Sequence, residues 1–123
     1  MLLTLALARI NPLMTEAIIN TLYGQVGSVL SPGTKLLDLT IDLSETIAQD
    51  CPPISYYRLV LREAAWLRRW LVKLGDRPAV GSVLALLSTS ENEAMDGTPT
   101  RAARVMTAGI IPDVHSTIRG GAS

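Results

Sequence analysis

The sequence predicts an all-β protein made of two quasi-symmetric halves, followed by a short tail, and three observations carry that expectation. The first is an internal repeat: residues 18–39 (IINTLYGQVGSVLSPGTKLLDL) lie on residues 66–87 (WLRRWLVKLGDRPAVGSVLALL) at a constant offset of 48, which places Gly27 on Gly75, Gly33 on Gly81 and Leu36 on Leu84. The second is the form of each copy. An apolar run, a glycine, five residues, a second glycine and a Leu-rich run read as strand, turn, short extended piece, turn and strand, because glycine accepts the positive φ that tight turns demand. The third is composition: hydrophobic residues make up 48% of the 123-residue chain, yet there is no Phe and there are only two Trp and three Tyr, so the core must be Leu, Ile, Val and Ala. A single domain of this size buries roughly 65% of its unfolded surface, which excludes wholesale disorder.

Along the chain, residues 1–8 are apolar but brief, without a basic leading region or a small-residue cleavage zone, so no signal peptide is expected. The longest uncharged stretch, residues 17–34, is broken by Asn20, Gly24, Gln25, Gly27, Ser31, Pro32 and Gly33, so no membrane span is expected and the protein reads as cytoplasmic. Asn11-Pro12 could open a helix over residues 13–23. In residues 55–74 the polar positions 55, 58, 62, 69 and 73 follow a helical stripe, with Ser55 as cap and Gly75 as terminator. These are the competing readings, and the repeat decides for strands. From Thr89 the character changes: residues 89–100 (TSENEAMDGTPT) read as a linker, and residues 101–108 could form two helical turns stopped by Gly109 and Pro112. The expected organisation is a domain over 1–88, a linker over 89–100 and a short flexible or short-helical tail over 101–123.

Charge and chemistry narrow the function. Eleven basic and eleven acidic residues cancel, so no field draws the chain to nucleic acid or an anionic membrane. One Cys excludes an internal disulfide, and one Cys with one His cannot build a tetrahedral zinc site. Cys51 has no His, Lys or Arg within four residues to favour a thiolate, His115 stands alone, and Asp42, Glu45 and Asp50 read as solvated loop acids. Lys35 and Lys73 read as turn residues, and Arg58, Arg62, Arg68 and Arg69 as a solvated basic face. Trp66 and Trp70 have the same strand parity and should share a face, as core or as an aromatic anchor for a partner protein. No residue is expected to be catalytic, and no metal or cofactor is expected.

Two segments carry a resemblance. Pro12-Leu13-Met14-Thr15-Glu16 and Trp70-Leu71-Val72-Lys73-Leu74-Gly75-Asp76 are similar to the opening segment and the Trp-Leu-Val-Lys-x-Gly-Asp stretch of the biotinyl/lipoyl carrier domains of 2-oxo acid dehydrogenase complexes and biotin carboxylases. The resemblance covers about residues 3–88 and implies a flattened barrel of two four-stranded sheets related by a pseudo-twofold axis. In that family a lysine at a hairpin tip carries the prosthetic group. The matching stretch here, Leu37-Asp38-Leu39-Thr40-Ile41-Asp42-Leu43-Ser44, places Leu43 at that position, and leucine has no amine for the amide linkage. The loop that follows, with Asp50-Cys51-Pro52-Pro53, is also longer than the family's.

The tail residues Pro99, Arg101, Arg104 and Gly109-Ile110-Ile111-Pro112-Asp113 resemble a truncated peripheral-subunit-binding segment. The resemblance therefore implies a non-catalytic, lipoyl-like binding or scaffold subunit of a 2-oxo acid dehydrogenase or carboxylase-type complex. Its partners would be protein subunits, with Trp66, Trp70, Arg101 and Arg104 as contact candidates. The alternative is a carrier modified at Lys35, Lys73 or Cys51.

Overall fold

The structure, a computed structural model, describes residues 1–44 and 54–111. Nine strands follow in order: β1 (Leu2–Ala6), β2 (Ile18–Leu22), β3 (Val29–Leu30), β4 (Lys35–Asp42), β5 (Ile54–Leu61), β6 (Ala65–Trp70), β7 (Val83–Ser88), β8 (Arg101–Ala102) and β9 (Val105–Ile110). They form a five-stranded sheet, β3-β6-β7-β1-β8, and a four-stranded sheet, β2-β4-β5-β9, with no helix among the described residues. The fold is all-β, as the repeat predicts. The strands make two sheets and not one closed barrel, and the helical stripe over 55–74 is instead the pair β5 and β6, joined by a three-residue turn at Arg62-Glu63-Ala64. Among the described residues no helix is long and apolar enough to cross a membrane.

The repeat is a property of the backbone hydrogen bonds. Gly27 N–H bonds the Leu67 carbonyl at 2.7 Å, and Gly75 N–H bonds the Ile19 carbonyl at 2.8 Å. Leu67 N–H bonds Ser28 O at 3.0 Å, and Ile19 N–H bonds Asp76 O at 2.9 Å. In each couple the residues exchange under the offset of 48, so each half closes on the other as the other closes on it. Even the irregularities repeat: β2 shifts register on β4 between Ile19 and Thr21, and β6 shifts on β7 between Leu67 and Arg69. Outside the repeat the same relation continues through β1 and β5, since Leu7 N–H bonds Ser82 O at 2.9 Å where Leu61 N–H bonds Thr34 O at 2.8 Å.

Gly27 and Gly75 take φ of 91° and 86°, and Gly33 and Gly81 take 92° and 94°. A Cβ built on any of the four meets nothing within 4 Å, so backbone conformation and not space demands glycine there. Replacing Gly27 or Gly75 by Val should cost about 1–3 kcal/mol in denaturant unfolding, from backbone strain alone. A neutral result at both would mean the turns can be rebuilt without positive φ.

The core lies between the sheets and is aliphatic. Leu3, Leu5, Leu36, Leu37, Leu39, Ile41, Leu61, Leu67, Leu84 and Leu87 are fully buried. In β4, the run Leu36 to Leu39 is buried on both faces, which explains why alternation is faint there.

The tail differs from expectation. Residues 101–108 form no helical turns: β8 pairs in parallel with β1 through Leu3/Arg101 and Thr4/Ala102, and β9 pairs antiparallel with β5 over all six of its residues. Ala103, between them, is 7% exposed and belongs to the core. Ala and Arg favour helix locally, but β1 and β5 each present a row of unpaired backbone groups, and satisfying these outweighs local preference.

Candidate functional site

Strand register places one row of side chains on the outer face of the four-stranded sheet. Thr21 stands opposite Asp38 and Asp38 opposite Arg58, and in the next row Thr40 stands opposite Tyr56 and Tyr56 opposite Ile110. Cross-strand neighbours meet on one face, so Asp38 and Arg58 pair directly. Arg58 Nε donates to Asp38 Oδ1 at 2.8 Å and Nη2 to Oδ2 at 3.1 Å, a two-pronged pair. Tyr23, just past β2, donates its hydroxyl proton to Asp38 Oδ2, and Arg58 Nη2 reaches the Tyr23 oxygen at 3.2 Å. Lys35 Nζ lies 4.4 Å from the centre of the Tyr23 ring, a cation–π contact.

The electrostatics follow from this wiring. Asp38 is 7% exposed. Burial pushes its carboxyl up, but the hydrogen bonds from Arg58 and Tyr23 and the charges of Arg58 and Lys35 outweigh that, so its pKa lies below the usual value. The Asp38 hydrogen bond, then burial, raise the Tyr23 phenol, which stays protonated and donating. Arg58 is held fully charged, chiefly by its bonds to Asp38. Asp38 thus contributes stability above the unfolded carboxylate range, and that contribution is lost as pH falls through its lowered folded value.

Beside this network runs an open groove of about 500 Å³ lined by Asn20, Thr21, Tyr23, Asp38, Tyr56, Arg58, Ile110 and Ile111. A second depression of about 400 Å³, bounded by Ile54, Tyr56, Tyr57, Gly109 and Ile111, adjoins it. The network belongs to one half only. The repeat equivalents of Tyr23 and Asp38 are Leu71 and Leu86, so these polar residues are not required by the shared architecture. Among the described residues no group of three His, Cys, Asp or Glu could hold a metal ion. The described groups on this face are an ion pair, two phenols, threonine hydroxyls and an amide.

The sequence-predicted residues are scattered. Leu43 is 7% exposed and packs in the core cluster just beyond β4. Lys35, the first residue of β4, and Lys73, in the β6–β7 connection, are both exposed beside turns. Trp66 and Trp70 do not share a face: the register shift at Arg68 sets Trp66 opposite Ser88 and Trp70 opposite Ala85, three residues apart on β7. Trp70 packs against the core and donates its indole N–H to the Gly24 carbonyl at 3.0 Å, while Trp66 lies on the outer face. Cys51, Glu45, Asp50, His115 and the Pro112-Asp113 end of the tail motif lie outside the described residues.

Arg101 makes an internal contact. Its guanidinium grips Glu63 with bonds of 2.7 and 2.8 Å, and Arg104 turns its backbone N–H to the same carboxylate at 2.7 Å. These bonds, Arg101 first, hold the Glu63 carboxyl at about 2 against a reference of 4.5. The clasp stabilises the fold fully above about pH 4.5 and fades as pH falls toward 2. Glu63→Gln should cost on the order of 1–2 kcal/mol at neutral pH, allowing for the solvent reaching Arg101. The variant should also flatten the loss of stability between pH 5 and 3, measured by urea unfolding. An unchanged acid limb would show the clasp to be energetically idle.

Sequence reading passed over Tyr23, Asp38 and Glu63, and it took Arg58 for part of a solvated basic face, whereas Arg58 is held against Asp38 by two hydrogen bonds. A signal for two of them was present: Asp38 interrupts Leu36-Leu37-x-Leu39, and Arg58 interrupts an otherwise uncharged strand, and a charge inside such a run demands a partner. No protein-family model and no curated protein matches the chain.

Proposed function

We propose that this protein is a lipoyl-like binding or scaffold subunit without a prosthetic group, serving a multienzyme complex of the 2-oxo acid dehydrogenase or carboxylase kind. The observation that carries the reading is at the β4–β5 connection. The resemblance assigns the attachment lysine to this hairpin, yet no lysine occurs between Lys35 and Lys73, and the matching Leu43 is buried in the core. The barrel-sandwich architecture is supported by the hydrogen bonds that exchange under the offset of 48 and by the equivalent strand runs β2-β4-β5 and β6-β7-β1, one in each sheet. With no arm to swing, the surface supplies the function, and the Tyr23–Asp38–Arg58 face, whose Tyr23 and Asp38 have leucines as repeat equivalents, is the part of it with a built polar network.

Affinity capture of the full chain from its native cells, with the captured proteins identified by mass spectrometry, tests the reading. Subunits of a dehydrogenase or carboxylase complex are expected, and capture of none of them would overturn it. Intact mass from cells competent in lipoylation and biotinylation is expected to equal the unmodified chain. An added lipoyl or biotinyl mass on Lys35 or Lys73, both exposed, would instead favour the carrier alternative.

A further inference from the structure

The two sheets have four edges, and natural β proteins protect such edges by shortness, charge, proline, bulges or cover. Three are protected here. β3 and β8 are two residues each. The outer side of β2 is closed by the turn that follows β6, since Ile19 exchanges bonds with Gly75 and Asp76 and Ala17 N–H bonds Pro78 O at 3.0 Å. β9 is the exception. It has six residues (VMTAGI), no charge, no proline and an unbroken register on β5, and among the described residues no strand pairs with its outer edge.

The geometry of that edge can be read from β5. Arg62 N–H bonds the Arg104 carbonyl at 2.8 Å, and the pairs Val60/Met106, Arg58/Ala108 and Tyr56/Ile110 follow in register. Antiparallel pairing alternates, so the even-numbered residues of β9 direct N–H and C=O to β5. Val105, Thr107 and Gly109 direct theirs outward. The side chains beside the edge are apolar and open, with Met106 42% and Ile111 91% exposed.

We infer that β9 is a self-association edge, on which the β9 of a second copy pairs antiparallel about a twofold axis at Ala108. The strand is complementary to itself in this register. Thr107 exchanges bonds with Gly109 of the second copy, and Met106 meets Ile110 of the second copy on the outer face. Val105 stands opposite Ile111. No charge faces a like charge along the paired strands, and an uncharged edge is best matched by an uncharged edge, which a copy supplies. The product is a continuous sheet, β2-β4-β5-β9 followed by the same strands reversed, and isologous pairing closes it at two copies. This inference stands independently of the proposed function.

Sedimentation velocity of the purified full chain over a wide concentration range tests it, together with amide exchange. A concentration-dependent monomer–dimer equilibrium is expected, with the amides of Thr107 and Gly109 exchanging at least about tenfold more slowly at high concentration than at low. Thr107→Pro removes an outward N–H and none of the bonds to β5, and Met106→Lys sets a charge opposite Ile110 of the second copy. Each should weaken association about tenfold or more with an unchanged circular dichroism spectrum. The second variant decides the matter should proline disturb the strand. A monomer at every concentration overturns the inference, as does a dimer indifferent to Met106→Lys. A chain ending at Ile111 that dimerises where the full chain stays monomeric also overturns it, by making the chain's own end the occupant of the edge.

Discussion

Removal of residues 89–123 should destabilise the remaining β body by roughly 3 kcal/mol or more, and partial unfolding at ambient temperature is within that range. A linker with a docking tail would be dispensable; strands embedded in both sheets are not. Without β8, the backbone of β1 loses the bonds from Thr100 to Leu2 O at 2.8 Å and from Ala103 to Thr4 O at 2.7 Å. Without β9, the edge of β5 is bared along its six paired residues, and Leu59 and Leu61 lose Thr107 and Val105 as neighbours on the inner face. Ala103 leaves the core, and Glu63, whose side chain is only 14% exposed, keeps its charge without Arg101 or the Arg104 N–H. The loss of both partners adds the worth of the pair, discounted for the water that the deletion admits to the carboxylate. Equilibrium urea unfolding of the two chains checks this. A lower midpoint is expected for the truncated chain, and coincident midpoints would return the tail to the status of an appendage.

The contrast between the repeat and the tail shows what the sequence discloses. Gly27, Gly33, Gly75 and Gly81 are legible because a positive φ is a local demand that few other residues meet, and all four take it. The fate of residues 101–110 is not local. Their strand character comes from the unpaired edges of β1, about one hundred residues away in sequence, and of β5, about fifty away. The separation of Trp66 from Trp70 is hidden for a related reason: one extra residue at Arg68 inverts strand parity, and nothing in the composition of AWLRRW marks it. The Tyr23–Asp38–Arg58 face is partly legible. Asp38 and Arg58 are visible as charges within apolar strands, but their union depends on β4–β5 register, and Tyr23 joins them only after the shift in β2.

Leu43→Lys, the substitution that tests the proposed lipoyl-like reading most directly, should lower stability by about 2–4 kcal/mol and leave the chain unmodified. Leu43 is 7% exposed among the core residues, so its replacement removes apolar packing and brings an ammonium to the edge of an aliphatic cluster. The lysine stem is long enough to carry that charge outward along the end of β4, which limits the cost to the lower part of the range where it succeeds. Success in reaching solvent is a different requirement from success as a substrate. A ligase must receive the amine on a free hairpin tip, and position 43 is followed at once by a tight turn in which the Ser44 N–H and hydroxyl both bond Asp42 Oδ1, at 3.0 and 2.6 Å. Those bonds also hold the Asp42 carboxyl below its usual pKa. Two measurements separate the outcomes: denaturant unfolding for the cost, and intact mass after co-expression with lipoyl and biotin ligases for the modification. A destabilised, unmodified variant is the expected pair. A variant of undiminished stability that gains a prosthetic group would place position 43 on an accessible tip and would show that a single side chain keeps this chain from being a ligase substrate.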